Sequence, residues 1–102
     1  MGQRLGQHFL IRQSILERIA REAAEPGEPL VIEIGPGRGA LTRFLLQRAA
    51  RVIAIEVDAT LEAGLREKFP TLELLIADVL ATDLAQWGGP VAVVGNLPYY
   101  IT

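Results

Sequence analysis

Asn96-Leu97-Pro98-Tyr99 places an amide, a proline and a phenol ring side by side. Pro98 has no N–H and a restricted φ, so it stiffens the segment that carries its neighbours. Asn96 offers an oxygen that accepts from an amine, and Tyr99 offers a flat face for a planar base. The set suits a planar amine as substrate, though an ordinary strand exit with a core tyrosine would use the same residues. Upstream, Glu33-Ile34-Gly35-Pro36-Gly37-Arg38-Gly39 reads as a loop joining a strand to a helix. Its glycines allow a sharp turn and let a ligand approach without a Cβ in the way. A helix N-terminus behind the loop would favour a pyrophosphate or a carboxylate. Glu56 follows Gly35 by about 20 residues, where nucleotide-binding folds place the acid that accepts from ribose hydroxyls. Asp78, in Ala77-Asp78-Val79-Leu80, is an acceptor for an adenine amino group or a simple turn cap. Loop and acid together point to a ribose-bearing cofactor. They leave NAD and S-adenosylmethionine both open, because Gly35-x-Gly37-x-x-Ala40 also fits the dinucleotide fingerprint.

The remaining chemistry-bearing residues are sparse. His8 is the single histidine, with no Ser or Cys partner or second ligand placed near it by sequence. Neither nucleophilic catalysis nor metal binding is read from it. Phe9 and Trp87 read as packing residues.

These residues need a frame, and the hydrophobic pattern supplies one. Residues 1–13 show no helical period and hold Gly2 and Gly6, which reads as an extended arm. Ser14 to Glu17 forms a capping box for a helix carrying Ile15, Leu16, Ile19, Ala20 and Ala23, stopped by Pro26, Gly27 and Pro29. Apolar runs then alternate with amphipathic stretches. Strands are predicted at 30–34, 52–55, 72–76 and 91–94. Helices are predicted over about 39–49 and from an Asp58 cap to Pro70, with a short helical turn at 82–87. Short apolar strands alternating with helices indicate a parallel sheet buried on both faces. The expected class is α/β and Rossmann-like, with strand order 3-2-1-4. A fourth strand with no further partner would be a bare apolar edge, open to self-association.

The chain has 102 residues, 50% hydrophobic and 22% charged, which is a globular composition for one small domain. It has no cysteine, which excludes disulfides, thiolate metal sites and a thiol nucleophile. The formal charge of -2 is unusual for a stand-alone nucleic-acid binder, but Arg4, Arg12, Arg18 and Arg21 make the opening segment basic. No apolar run approaches the length of a membrane span, and no signal peptide is visible. The default location is the cytosol.

Gly6-Gln7-His8-Phe9-Leu10, Glu33-Ile34-Gly35-Pro36-Gly37, Ile55-Glu56-Val57-Asp58 and Asn96-Leu97-Pro98-Tyr99 follow one another in the order and spacing of one family. From about Arg4 to Thr102 the chain resembles the N-terminal part of a ribosomal RNA adenine N6,N6-dimethyltransferase. Relatives that modify large-subunit rRNA usually have Ile in place of Leu97, and the Gly-Gln-His-Phe-Leu opening also fits the small-subunit enzymes better. The resemblance implies a cytoplasmic, S-adenosylmethionine-dependent methyltransferase that dimethylates two adjacent adenosines near the 3′ end of small-subunit rRNA. It implies that His8 and Leu10 fold over the cofactor through backbone groups. Gly35 and Gly37 would cradle its methionine part, Glu56 the ribose and Asp78 the adenine amine. Asn96 would touch both cofactor and target base, with Leu97, Pro98 and Tyr99 completing the catalytic loop. No metal and no membrane partner are expected. Family members are more than twice as long, so residues 1–102 read as the first part of the catalytic domain, inactive alone. The competing readings are a large-subunit rRNA methyltransferase, a NAD-type oxidoreductase half-domain and a nucleotide-binding fragment without activity.

Overall fold

The computed structural model describes residues 2–88 and 91–95, with side chains from residue 12 onward. Glu28–Ile34 forms β1, Ala49–Glu56 β2, Glu73–Ile76 β3 and Ala92–Gly95 β4. All pairings are parallel, and the order is β3-β2-β1-β4, as the sequence pattern predicts. The four strands therefore end at the same edge. Ile34 lies opposite Ile55 of β2 and Gly95 of β4, and Glu56 lies opposite Ile76.

Alternate residues of each strand point to opposite faces. Val31, Val52 and Ala54 join Leu16, Ala20, Leu41 and Leu45 in one core cluster. Leu30, Ile32, Ile53 and Ile55 face the other way, packed against Ala77, Val79, Leu84, Trp87 and Val91. Trp87 is accordingly a packing residue. Both faces are covered over β1 and β2, which is why those strands read as continuous apolar runs. The expected burial on both faces fails at the edge strands, where Leu75 and Val93 are exposed.

The helices differ from the expectation in two places. α1 runs without interruption from Gly2 to Ala23, so the extended arm predicted over 1–13 is a helix. Gly2 and Gly6 each weaken it by about 1 kcal/mol. The part anchored by buried Leu16 and Ala20 nevertheless provides a nucleus, from which extension adds one hydrogen bond per residue. Ser14 and Glu17 consequently lie inside the helix and form no cap, and Glu17 faces Arg21 one turn on instead. α2 is much shorter than the predicted 39–49, covering only Thr42–Leu46. The glycine loop takes the residues before it, and β2 begins at Ala49. α3 spans Glu62–Lys68 and ends before Pro70, as predicted, while Asp58 caps a single 3₁₀ turn, Ala59–Leu61, that leads into it. Similar turns at Val79–Ala81 and Leu84–Trp87 follow β3.

Among the described residues no helix is long and apolar enough to cross a membrane.

Candidate functional site

The carboxyl edge of the sheet carries four of the predicted residues, Gly35, Gly37, Glu56 and Asp78. Gly35 follows β1 directly and donates its N–H to the Ile55 carbonyl at 2.9 Å, which keeps the start of the loop beside β2. Gly35, Gly37 and Gly39 all have positive φ, at 67°, 59° and 92°. These are backbone conformations that L side chains rarely adopt. The last two glycines nevertheless answer different needs. A Cβ on Gly37 would meet nothing within 4 Å, so the loop is open on that side. A Cβ on Gly39 would lie 2.3 Å from Cε2 of Phe69, so Gly39 is required for packing against the end of α3.

Glu56 is the hub of the edge. It terminates β2 and is 6% exposed. Its Oε1 accepts from the N–H of Gly37 at 3.0 Å, and its Oε2 accepts from the N–H of Asp58 at 2.9 Å. One carboxylate thus ties the glycine loop to the loop after β2. Each oxygen retains acceptor capacity for a further donor. The next strand is fastened in the same way, through Ala77 N–H to the Glu56 carbonyl at 2.9 Å. Asp78 follows as an exposed N-cap. Its Oδ1 accepts from Leu80 N–H at 2.9 Å. That oxygen performs the turn-capping role that the sequence left open beside the adenine role, and no partner engages Oδ2 among the described residues.

The helix-dipole contribution is smaller than the sequence suggested. Five residues of α2 give few aligned peptide dipoles, and Leu41 at its start has no capping side chain. The open face at Gly37 and the backbone of the loop are the remaining means of recognising a ligand there.

Glu33, two residues before Gly35, is a buried acid that sequence reasoning did not single out. No part of it reaches solvent, and Thr42 Oγ1 donates to its Oε1 at 2.5 Å. Its Oε2 is buried with no hydrogen-bond partner among the described residues. Burial above all pushes the carboxyl up to about 7; the Thr42 hydrogen bond opposes the shift and the nearby Glu56 charge adds to it. The available signal was a glutamate inside the otherwise apolar run Leu30-Val31-Ile32-Glu33-Ile34.

His8 and Leu10 lie within α1. Backbone groups inside a helix bond to one another, and the extended arm read for residues 1–13 is not what the chain forms here. Asn96, Leu97, Pro98 and Tyr99 lie outside the described residues. β4 ends at Gly95, opposite Ile34. No group of three His, Asp or Glu side chains that could hold a metal occurs among the described residues.

Comparison with known proteins gives a consistent family. The sequence model described as Ribosomal RNA adenine dimethylase matches residues 2–102. Ribosomal RNA small subunit methyltransferase A of Bordetella pertussis is 46% identical over 102 residues, covering 98% of this chain and 38% of that protein. Among solved structures, the 23S rRNA methyltransferase ErmE superposes with a TM-score of 0.73 at 39% identity, over 84% of this chain and 36% of its own. The SAM-bound amino pentose methyltransferase CalS10 from Micromonospora echinaspora gives a TM-score of 0.61 at 25% identity, over 82% of this chain and 34% of its own. The chain therefore spans little more than a third of the length of these relatives.

Proposed function

The chain belongs to the ribosomal RNA adenine dimethylase family, and from that premise we propose that the protein transfers methyl groups from S-adenosylmethionine to N6 of two adjacent adenosines in small-subunit rRNA. Residues 1–102 supply the cofactor-binding first part of the catalytic domain in this reading, and the protein works in the cytoplasm. The observation that carries it is Glu56, held by two loop N–H groups beside the open face of Gly37. A ribose-bearing ligand fits that arrangement: the loop leaves room for it, and both carboxylate oxygens can accept a further hydroxyl.

The cofactor supplies an already activated methyl group, so the protein's task is binding and alignment. Gly35 and Gly37 cradle the methionine part, Glu56 holds the ribose, and Asp78 accepts from the adenine amine with the oxygen that does not cap its turn. His8 and Leu10 belong to this set by resemblance alone. The adenosine N6 lone pair is delocalised into the ring and is a poor nucleophile. The Asn96 side-chain oxygen and the Leu97 carbonyl accept its hydrogens and draw it towards tetrahedral geometry. Pro98 holds the loop, and Tyr99 stacks on a base that must be extruded to expose N6. No general base with a shifted pKa is required.

ErmE's resemblance keeps a large-subunit substrate as the second reading. Purified full-length protein should be incubated with undermethylated small subunits, with large subunits and with radiolabelled S-adenosylmethionine. Stoichiometric label on adjacent small-subunit adenosines is the expected result, and label confined to large-subunit rRNA would refute it. Asn96→Ala should reduce methylation far more than S-adenosylhomocysteine affinity. Equal loss of both would make Asn96 chiefly a cofactor ligand.

A further inference from the structure

Glu33 has no role in the reaction as described, yet its setting is costly. It stands two residues before Gly35 on the face of β1 that packs against α1 and α2. Ala54 of β2 and Val94 of β4 pair with its backbone on either side. Leu41 and Leu45 from the α2 region and Leu16 and Ala20 from α1 fill the same core cluster. α2 contributes Thr42, which hydrogen-bonds Oε1, and β2 contributes Glu56, a second negative group. None of the ion pairs among the described residues includes Glu33. Among the described residues, a carboxylate with one unpartnered oxygen in such a place has neither solvent nor counter-charge. The carboxyl, pushed up to about 7, is therefore divided between its neutral and charged forms near neutral pH.

We propose that Glu33 is a charge-compensating positioning residue of the glycine-loop site, which gives up its proton when a cation docks there. The Glu33 O–H bond breaks, the proton passes to bulk water, and the carboxylate that remains offsets the positive charge of the ligand. This rests on the proposed function, in which the ligand is the sulfonium S-adenosylmethionine. The neutral acid plus the cation becomes a carboxylate–cation pair plus one solvated proton, so charge and atoms balance. A positive charge near a buried carboxyl favours its ionised form strongly because the surroundings screen little. Glu56 is less suited to this task, because each of its oxygens already accepts a loop N–H.

A carboxyl that titrates at about 7 in the free protein and remains ionised in the complex sets the size of the effect. Affinity should rise about tenfold between pH 6 and pH 8, and about half a proton should leave per cofactor bound at pH 7. The measurement is isothermal titration of the full-length protein with S-adenosylmethionine at pH 6, 7 and 8. Two buffers of different ionisation enthalpy count the protons. Glu33→Gln provides the reference, because the α-amine of the cofactor and every other titrating group are shared by the two proteins. Only the difference between the two is read. Wild-type protein should show the extra proton release and the steeper pH dependence. Thr42→Val, which removes the hydrogen bond that lowers Glu33, should move the midpoint to higher pH. Identical proton release and pH dependence in wild type and Glu33→Gln would overturn the inference and leave the proposed function standing. Net proton uptake attributable to Glu33 would do the same. Failure to bind S-adenosylmethionine at every pH would overturn the proposed function, and the inference with it.

Discussion

Replacing Glu33 by Gln should stabilise the protein, and only above about pH 5. The carboxyl is raised from 4.5 in a free chain to about 7 in the fold. Folding therefore favours its protonated form. The contribution is fully present below the unfolded value and is lost as pH rises through the folded one. The loss is complete just above pH 7, and a shift of this size corresponds to about 3 kcal/mol. Gln has nearly the same shape, its Oε1 can still accept from Thr42 Oγ1, and it has no charge to lose. At pH 4.5 the two proteins should thus unfold at closely similar urea concentrations. By pH 6 the variant should lead by about 2 kcal/mol, and by pH 8 the lead should reach about 3 kcal/mol. Urea titrations of ligand-free protein at the three pH values, followed by circular dichroism, measure this directly. A gap that does not widen with pH would refute the reasoning. So would a variant less stable than wild type at pH 8, since either result means that the buried carboxylate has found a partner or solvent.

Other substitutions examine the loop itself. Glu56→Ala leaves the N–H groups of Gly37 and Asp58 without their carboxylate. It should weaken S-adenosylhomocysteine binding by roughly 1.5–3 kcal/mol, the scale of a hydrogen bond to a charged group; an unchanged dissociation constant in a calorimetric titration would remove Glu56 from the site. Gly39→Ala meets both a φ of 92° and the Phe69 ring at 2.3 Å, so a stability loss of about 2 kcal/mol or more is expected in urea denaturation. Gly37→Ala meets no atom within 4 Å and should cost only about 1 kcal/mol from its φ of 59°. It should nonetheless impair cofactor binding by occupying the open side of the loop. Equal stability losses at the two positions would show that the Phe69 contact is not what requires Gly39.

Much of this protein was determined by local pattern. The apolar runs around Val31 and Val52 are strands buried on two faces, and those around Leu74 and Val93 are edge strands with one face exposed. Alternating them with helices leaves the parallel order β3-β2-β1-β4 as the expected arrangement. Gly35 and Glu56 were placed at one edge by spacing alone, because parallel strands must all end on the same side. Glycine positions were legible for a similarly local reason, since a positive φ is a property of one residue.

What the sequence left undecided depends on contacts between distant residues. The start of α1 was misplaced because Gly2 and Gly6 weaken a helix locally, whereas its continuation depends on the packed segment around Leu16 and Ala20. The short α2 reflects how far the glycine loop must travel before its chain can pack through Leu41 and Leu45. The carboxylates show the difference most sharply. Glu33 and Glu56 are the same side chain in adjoining strands, yet among the described residues one lacks a donor on Oε2 and the other holds two loops by their N–H groups. Composition and spacing could mark both as acids near the loop. Only the tertiary structure decides which donors reach each oxygen and how much water is removed, and those two quantities set what a buried carboxyl can do.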